Sequence, residues 1–110
     1  MSKPVVLIVE DDLDSREAIR DVLIEEGFEV REAANGLQAL ESIGEQTPDL
    51  VLLDLQLPVM RGELVLQVLR AARRNLRIVV MSSTIAALAG TVQIAKPFSL
   101  DDLLGAVGVA

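Results

Sequence analysis

Val5-Val6-Leu7-Ile8-Val9-Glu10-Asp11-Asp12 is five aliphatic residues followed at once by three acids. Four of the five are β-branched and no polar residue alternates with them, which is the pattern of a strand covered on both faces. Such strands belong to parallel sheets with helices above and below. Two further runs share the pattern: Leu50-Val51-Leu52-Leu53 closing on Asp54, and Ile78-Val79-Val80-Met81 running into Ser82-Ser83-Thr84. Each apolar run therefore hands over directly to a carboxylate or a hydroxyl.

Between these runs the apolar spacing becomes helical. Ala18, Ile19, Val22 and Leu23 predict a first helix, with Asp14 or Ser15 as N-cap and Gly27 as its stop. Phe28 to Arg31 reads as a short second strand. Asn35-Gly36 then opens a segment in which Leu37, Leu40 and Ile43 recur three apart, ended by Thr47-Pro48. After Asp54 a loop through Pro58 to Gly62 leads into a third helix, with Leu64, Val68, Leu69 and Ala72 on one face and Arg70, Arg73 and Arg74 on the wet side. Val65 and Leu66 add more apolar residues than one stripe accommodates, so one or two are expected at the surface. Val92 to Ala95 reads as a short final strand, and Phe98-Ser99 starts a last helix. Strands alternating with helices through short connections predict a doubly wound α/β sandwich: five parallel strands, right-handed crossovers and helices on both faces.

Composition bounds what such a fold can do. The 110 residues, 51% hydrophobic and 25% charged, suit one globular domain spanning 1–110. Ten basic against 17 acidic residues leave a net charge of −7, the wrong sign for gripping nucleic-acid phosphates or anionic membrane surfaces. No apolar run approaches the ~20 residues that span a bilayer, and Val5 to Val9 is too short for a secretory signal. A cytoplasmic protein is expected. With no cysteine and no histidine, thiol nucleophiles, Ser-His-Asp hydrolysis and zinc chemistry are all excluded. What remains is carboxylate, hydroxyl and lysine chemistry, and metal binding restricted to hard cations such as Mg²⁺.

Doubly wound sheets bind ligands beyond the carboxyl ends of their strands. Those ends carry Glu10-Asp11-Asp12, Asp54 and Ser82, with Lys96-Pro97-Phe98 before the last helix. Converging carboxylates repel one another unless a cation lies between them. Mg²⁺ suits that role, because it combines one or two carboxylates with phosphate oxygens and water. A lysine and a hydroxyl beside it supply a point charge and a donor for the remaining phosphoryl oxygens. Asp12 and Asp14 fit loop or cap roles better, and Asp49, which precedes its strand, reads as surface.

The order of these residues resembles the receiver domain of two-component response regulators, a CheY-like, flavodoxin-like fold. The resemblance covers Val5 to Leu104 and rests on Val-Glu-Asp-Asp at 9 to 12, Leu-Leu-Asp-Leu-Gln-Leu-Pro at 52 to 58, Gly62, Met-Ser-Ser at 81 to 83 and Lys-Pro-Phe at 96 to 98. It implies that Asp54 accepts a phosphoryl group from a sensor histidine kinase or phosphotransfer protein, with Mg²⁺-dependent self-phosphorylation and slow self-dephosphorylation. Asp11 and Asp54 would ligate the metal directly, Glu10 mainly through water, and Gln56 through its carbonyl. Ser82 matches the switch hydroxyl and Lys96 the phosphate-binding lysine, whose bond to Pro97 is usually cis in the family. Gln56 and Thr84 occupy positions that tune the lifetime of the acyl phosphate.

The pattern breaks in one place. Only 13 residues, 83 to 95, separate Ser82 from Lys96. A helix of ~11 residues and a strand of ~5, with connections, need about twice that. The helix that the family carries before its last strand is therefore expected to be truncated or missing. That would leave sheet surface open to a homodimer contact. Gln93 also stands where the family has its switching aromatic, so the chemistry reads as intact and the conformational relay does not. With no effector domain expected, output to an unknown downstream protein would pass by contact. Three other readings compete: a degenerate receiver acting as a phosphorylation-independent interaction module, an aspartyl-phosphate phosphohydrolase, and a flavin module. The second needs an Asp where Gln56 stands, and the third would seat its phosphate against Glu10, Asp11 and Asp12.

Overall fold

The computed structural model describes residues 3–73, 75–83 and 91–108. β1 (Val5–Val9), β3 (Leu50–Asp54) and β4 (Arg77–Ser82) occupy the three apolar runs, and β2 (Glu29–Ala33) and β5 (Val92–Ala95) flank them in one parallel sheet of order β2-β1-β3-β4-β5. β1 lies at the point where strand order reverses. The C-terminal ends of β1 and β3 are thus neighbours, with Val9 opposite Leu53 in register.

Alternation along each buried strand builds two cores. Leu7, Val9, Val51, Leu53, Ile78 and Val80 face α2 (Gly36–Glu45) and α3 (Gly62–Ala72), where Ala39, Ile43, Val65 and Leu69 complete the layer. Val6, Ile8, Leu50, Leu52, Val79 and Met81 face the opposite way, onto Ile19 and Leu23 of α1 (Leu13–Glu25) and Leu103 and Val107 of α4 (Leu100–Val107). Burial on both faces explains why these strands show no polar alternation.

Several sequence-based boundaries shift, each for a local reason. The cap of α1 is Asp12, not Asp14 or Ser15: its extended backbone turns the chain, and its carboxylate accepts from the Ser15 N–H at 3.0 Å. Asp14 falls in the first turn, where a negative charge meets the positive end of the helix dipole. β2 runs two residues further than expected, because Glu32 and Ala33 keep pairing with Ile8 and Val9. On α2, Leu37 is exposed and Ala39 takes the core position, since a helix packed closely on a sheet has room for a small side chain there. On α3 the buried face is Val65, Leu66 and Leu69, while Leu64, Val68 and Ala72 point outward. Arg70 leaves the wet face to donate to the Leu76 carbonyl at 2.8 Å, and Arg73 stays exposed. Arg74 lies outside the described residues.

α4 starts at Leu100 behind a capping box in which Ser99 and Asp102 exchange side-chain and backbone hydrogen bonds. Phe98 precedes the helix, half-buried against its core layer. Four helices stand among the described residues. The expectation of a shortened helix before β5 falls on 84–90, outside the described residues, as does Thr84. Gln93 is exposed on β5. No helix among the described residues is long and apolar enough to cross a membrane.

Candidate functional site

The strand tips bring Glu10, Asp11, Asp54, Ser82 and Lys96 to one end of the sheet. Glu10 directly follows β1, Asp54 ends β3, Ser82 ends β4, and Lys96 follows β5. Glu10, Asp54 and Ser82 are buried, Asp11 is exposed and Lys96 is half-buried. Two carboxylates in the interior need compensation. Lys96 provides it: its Nζ lies 2.6 Å from Asp54 Oδ2 and 3.2 Å from Glu10 Oε2. That ammonium joins residues 86 apart in sequence.

Backbone donors hold the acids in place. The Gln56 N–H donates to Asp54 Oδ1 at 2.9 Å, and the Asp12 N–H to Glu10 Oε1 at 3.2 Å. Arg16, a residue the sequence reading passed over, reaches back from α1 to donate to the Glu10 carbonyl at 2.8 Å while pairing with Glu32 at 3.0 Å. Gly62 brings the loop after β3 against the site, where its N–H donates to the Leu55 carbonyl at 3.2 Å. A Cβ at 62 would lie 2.5 Å from the Asp54 carbonyl oxygen and closer still to Leu55 Cα, so only glycine permits this approach. The Lys96–Pro97 peptide is cis.

Charge follows geometry. Burial pushes the Glu10 carboxyl up to about 7, helped by its hydrogen bond to Asp54 and the charge of that group, and opposed by the Asp12 N–H and Lys96. For Lys96, burial favours the neutral amine, but the hydrogen bond to Asp54 and the charges of Asp54 and Glu10 outweigh it and raise the net value. Asp12 is lowered by the Ser15 hydroxyl and N–H, which fits its role as a cap.

This donor set fits a small hard cation. Glu10, Asp11 and Asp54 each offer a carboxylate oxygen, and these atoms lie within 4.8 Å of one another. Opposite corners of a Mg²⁺ octahedron are about 4.2 Å apart, given metal–oxygen bonds of ~2.1 Å. The oxygens are already near closing distance. Gln56 is exposed beside them, its amide on Asp54 and its side-chain Nε2 donating to Ser83 Oγ at 2.6 Å. This last bond, between residues 27 apart, has no signature in the sequence, because an amide and a hydroxyl at two loop ends pair only once the strands have aligned them.

A parallel sheet with an acidic pocket and a lysine gathered at its strand tips places the chain in the doubly wound class of α/β domains. The family model for the response regulator receiver domain matches residues 6–108, and the chain belongs to that family of two-component systems. Sporulation initiation phosphotransferase F of Bacillus subtilis is 34% identical over 97% of this chain and 93% of its own length. Chemotaxis protein CheY of the same organism is 37% identical over 93% and 92%. Among solved structures, Vibrio cholerae CheY4 superposes with a TM-score of 0.89 at 25% identity, covering 96% of this chain and 97% of that one. Thermotoga maritima TrrA, solved in complex with Mg²⁺-BeF, gives 0.87 at 27% identity over 94% and 96%.

Proposed function

We propose that Asp54 is the phosphoacceptor of a cytoplasmic receiver domain, loaded from the phosphohistidine of a sensor histidine kinase or phosphotransfer protein and acting through contact with a downstream protein. The observation that carries this reading is the triad of Asp54, Glu10 and Lys96, in which a buried carboxylate is held by one ammonium at 2.6 Å beside a second carboxylate. Asp54 attacks phosphorus as the P–N bond of the phosphohistidine breaks, and the electron pair leaves on the imidazole nitrogen. Lys96 then faces both the acceptor and the transferred group, so its charge stabilises the phosphoryl oxygens as they arrive. Ser82, at the tip of the neighbouring strand, is the hydroxyl assigned to those oxygens. Glu10, Asp11, Asp54 and the Gln56 carbonyl would hold Mg²⁺, which supplies the positive charge that lets a dianion approach three acids. The Mg²⁺-BeF complex of TrrA and the phosphotransfer role in the name of the sporulation relative support the same chemistry.

The test is Mg²⁺-dependent incorporation of phosphate from a small acyl phosphate, read by mass spectrometry. Wild type should gain one phosphoryl group and Asp54→Asn none, a loss of more than ~100-fold. Equal labelling of the two proteins would remove Asp54 from its role. A wild type that stays unlabelled with Mg²⁺ present would favour the phosphorylation-independent interaction module instead.

A further inference from the structure

We propose that Arg16 is a positioning residue for the cation site: by tying the peptide between Glu10 and Asp11 to α1 and β2, it sets both carboxylates where one divalent cation can take them. The proposal rests on the reading that Glu10 and Asp11 hold Mg²⁺.

Asp11 is the ligand that needs such a device. Glu10 and Asp54 are buried, and Lys96 and main-chain N–H groups fix their oxygens. Asp11 is exposed, and among the described residues no hydrogen bond or ion pair holds its side chain. That its carboxylate still reaches within 4.8 Å of the other two follows from the backbone beneath it.

Arg16 holds that backbone from both sides. The Glu10 carbonyl belongs to the peptide that leads into Asp11, and Arg16 Nη1 donates to it at 2.8 Å. The Asp12 carbonyl, on the far side of Asp11, accepts the Arg16 main-chain N–H at 2.9 Å. Asp11 is thus bracketed by two carbonyls that one residue ties down.

A ring of contacts braces Arg16 in turn. Its Nε donates to Glu32 Oε1 at 3.0 Å. Glu32 is followed on β2 by Ala33, whose carbonyl accepts the Glu10 N–H at 3.1 Å. The path from the Glu10 carbonyl through Arg16, Glu32 and Ala33 therefore returns to Glu10, closing across α1, β2 and the end of β1. The Arg16 side chain is 15% exposed and that of Glu32 31%, so solvent screens the bridge little. A guanidinium suits the place, because its fork points two N–H groups in fixed directions that a single ammonium does not match.

Position and charge predict opposite signs. A positive charge beside a cation site repels the cation, so removing it should tighten Mg²⁺ binding. Removing a support behind the ligands should weaken binding.

The test titrates the full chain, freed of metal, with MgCl₂ and follows the Asp11 and Gln56 amide shifts by NMR. Supports behind metal ligands are worth roughly 10- to 100-fold in affinity, and at this half-open site Arg16→Ala should raise the Mg²⁺ dissociation constant by about 10-fold. Arg16→Lys keeps the charge but serves one partner at a time, and should raise it by about threefold. Arg20→Ala removes a second arginine that meets Glu32, at 3.5 Å and one turn further along α1, and should leave the constant within about twofold. Without metal, the Asp11 amide order parameter should fall in both Arg16 variants, a local change that a general loss of stability does not produce. If Arg16→Ala does not fold, Arg16→Lys carries both measurements. Equal or tighter Mg²⁺ binding in the Arg16 variants, an Asp11 order parameter that stays put, or an equal weakening in Arg20→Ala would overturn the proposal. A wild type whose shifts never saturate with Mg²⁺ would remove the cation site itself, and this assignment with it.

Discussion

The two ends of the sheet handle charge in opposite ways. At the N-terminal ends of the strands two polar side chains close onto the backbone: Asp49 Oδ2 accepts from the Val5 N–H at 2.6 Å, and Arg70 donates to the Leu76 carbonyl at 2.8 Å. Arg31, midway along β2, donates to the Ser42 and Gln46 carbonyls at the end of α2, where the helix dipole is negative. At the C-terminal ends, Glu10, Asp11 and Asp54 crowd within 4.8 Å, and Lys96 brings a single positive charge to two of them. One end ties single side chains to the backbone, and the other holds an excess of acid that a cation can fill. The proposed function sits where compensation is unfinished.

The contrast is sharpest at Lys96. Replacing it with Met leaves two buried carboxylates without their cation, a situation that costs about 3–5 kcal/mol when fully buried. Because the Lys96 side chain is 27% exposed, about 2 kcal/mol is the better expectation. Urea denaturation without metal measures it, and Mg²⁺ should recover much of the loss. A Lys96→Met protein as stable as wild type in metal-free buffer would break the comparison.

The next effect is one of pH. Glu10 titrates at about 7 in the fold against 4.5 ordinarily, with Asp54, Lys96, Asp11 and the Asp12 N–H as the groups facing it and Arg16 on its carbonyl. A raised carboxyl means that the folded chain binds the proton more tightly than the unfolded one. The stabilisation is fully present below pH 4.5 and is lost as pH rises through about 7. Metal-free stability should decline over that window, and Glu10→Gln, which keeps an oxygen acceptor for the Asp12 N–H, should flatten the decline. Thermal melts of both proteins between pH 4 and 9 measure it, and parallel curves would assign the slope elsewhere.

The smallest effect belongs to the opposite end. Asp49→Ala strands the Val5 N–H at the start of the sheet and should cost about 1 kcal/mol. Unlike the change at Lys96, this loss should be the same with and without Mg²⁺. A Mg²⁺-sensitive Asp49→Ala would mean that the two ends are energetically linked.

How far each feature could be read in advance depends on the range of the physics behind it. The parallel sheet, the positions of β1, β3 and β4 and the candidates Glu10, Asp11, Asp54 and Ser82 at their ends were visible in the chain itself, because a strand buried on both faces must be apolar throughout and so marks its own end by the first polar residue; Lys96, after the mostly exposed β5, was legible only from its Lys-Pro-Phe motif. Helix phase was not. Leu64 and Val68 satisfy the same 3.6-residue period as Val65 and Leu69, and the choice between the two stripes is made by how α3 lies against Val51, Leu53 and Ile78. The cap at Asp12 likewise depended on where the chain turned off β1 rather than on residue type, since Asp12, Asp14 and Ser15 all suit it.

Packing alone supplied the rest. The upward shift of Glu10, the bond from Lys96 to a carboxylate 86 residues away and the Gln56–Ser83 bond across 27 residues all arise from groups brought together in three dimensions. Apolar periodicity is a local property that the chain carries along its length. Desolvation and hydrogen bonding between distant loops exist only after the strands have stacked side by side, and it is there that a common set of acids becomes one pocket.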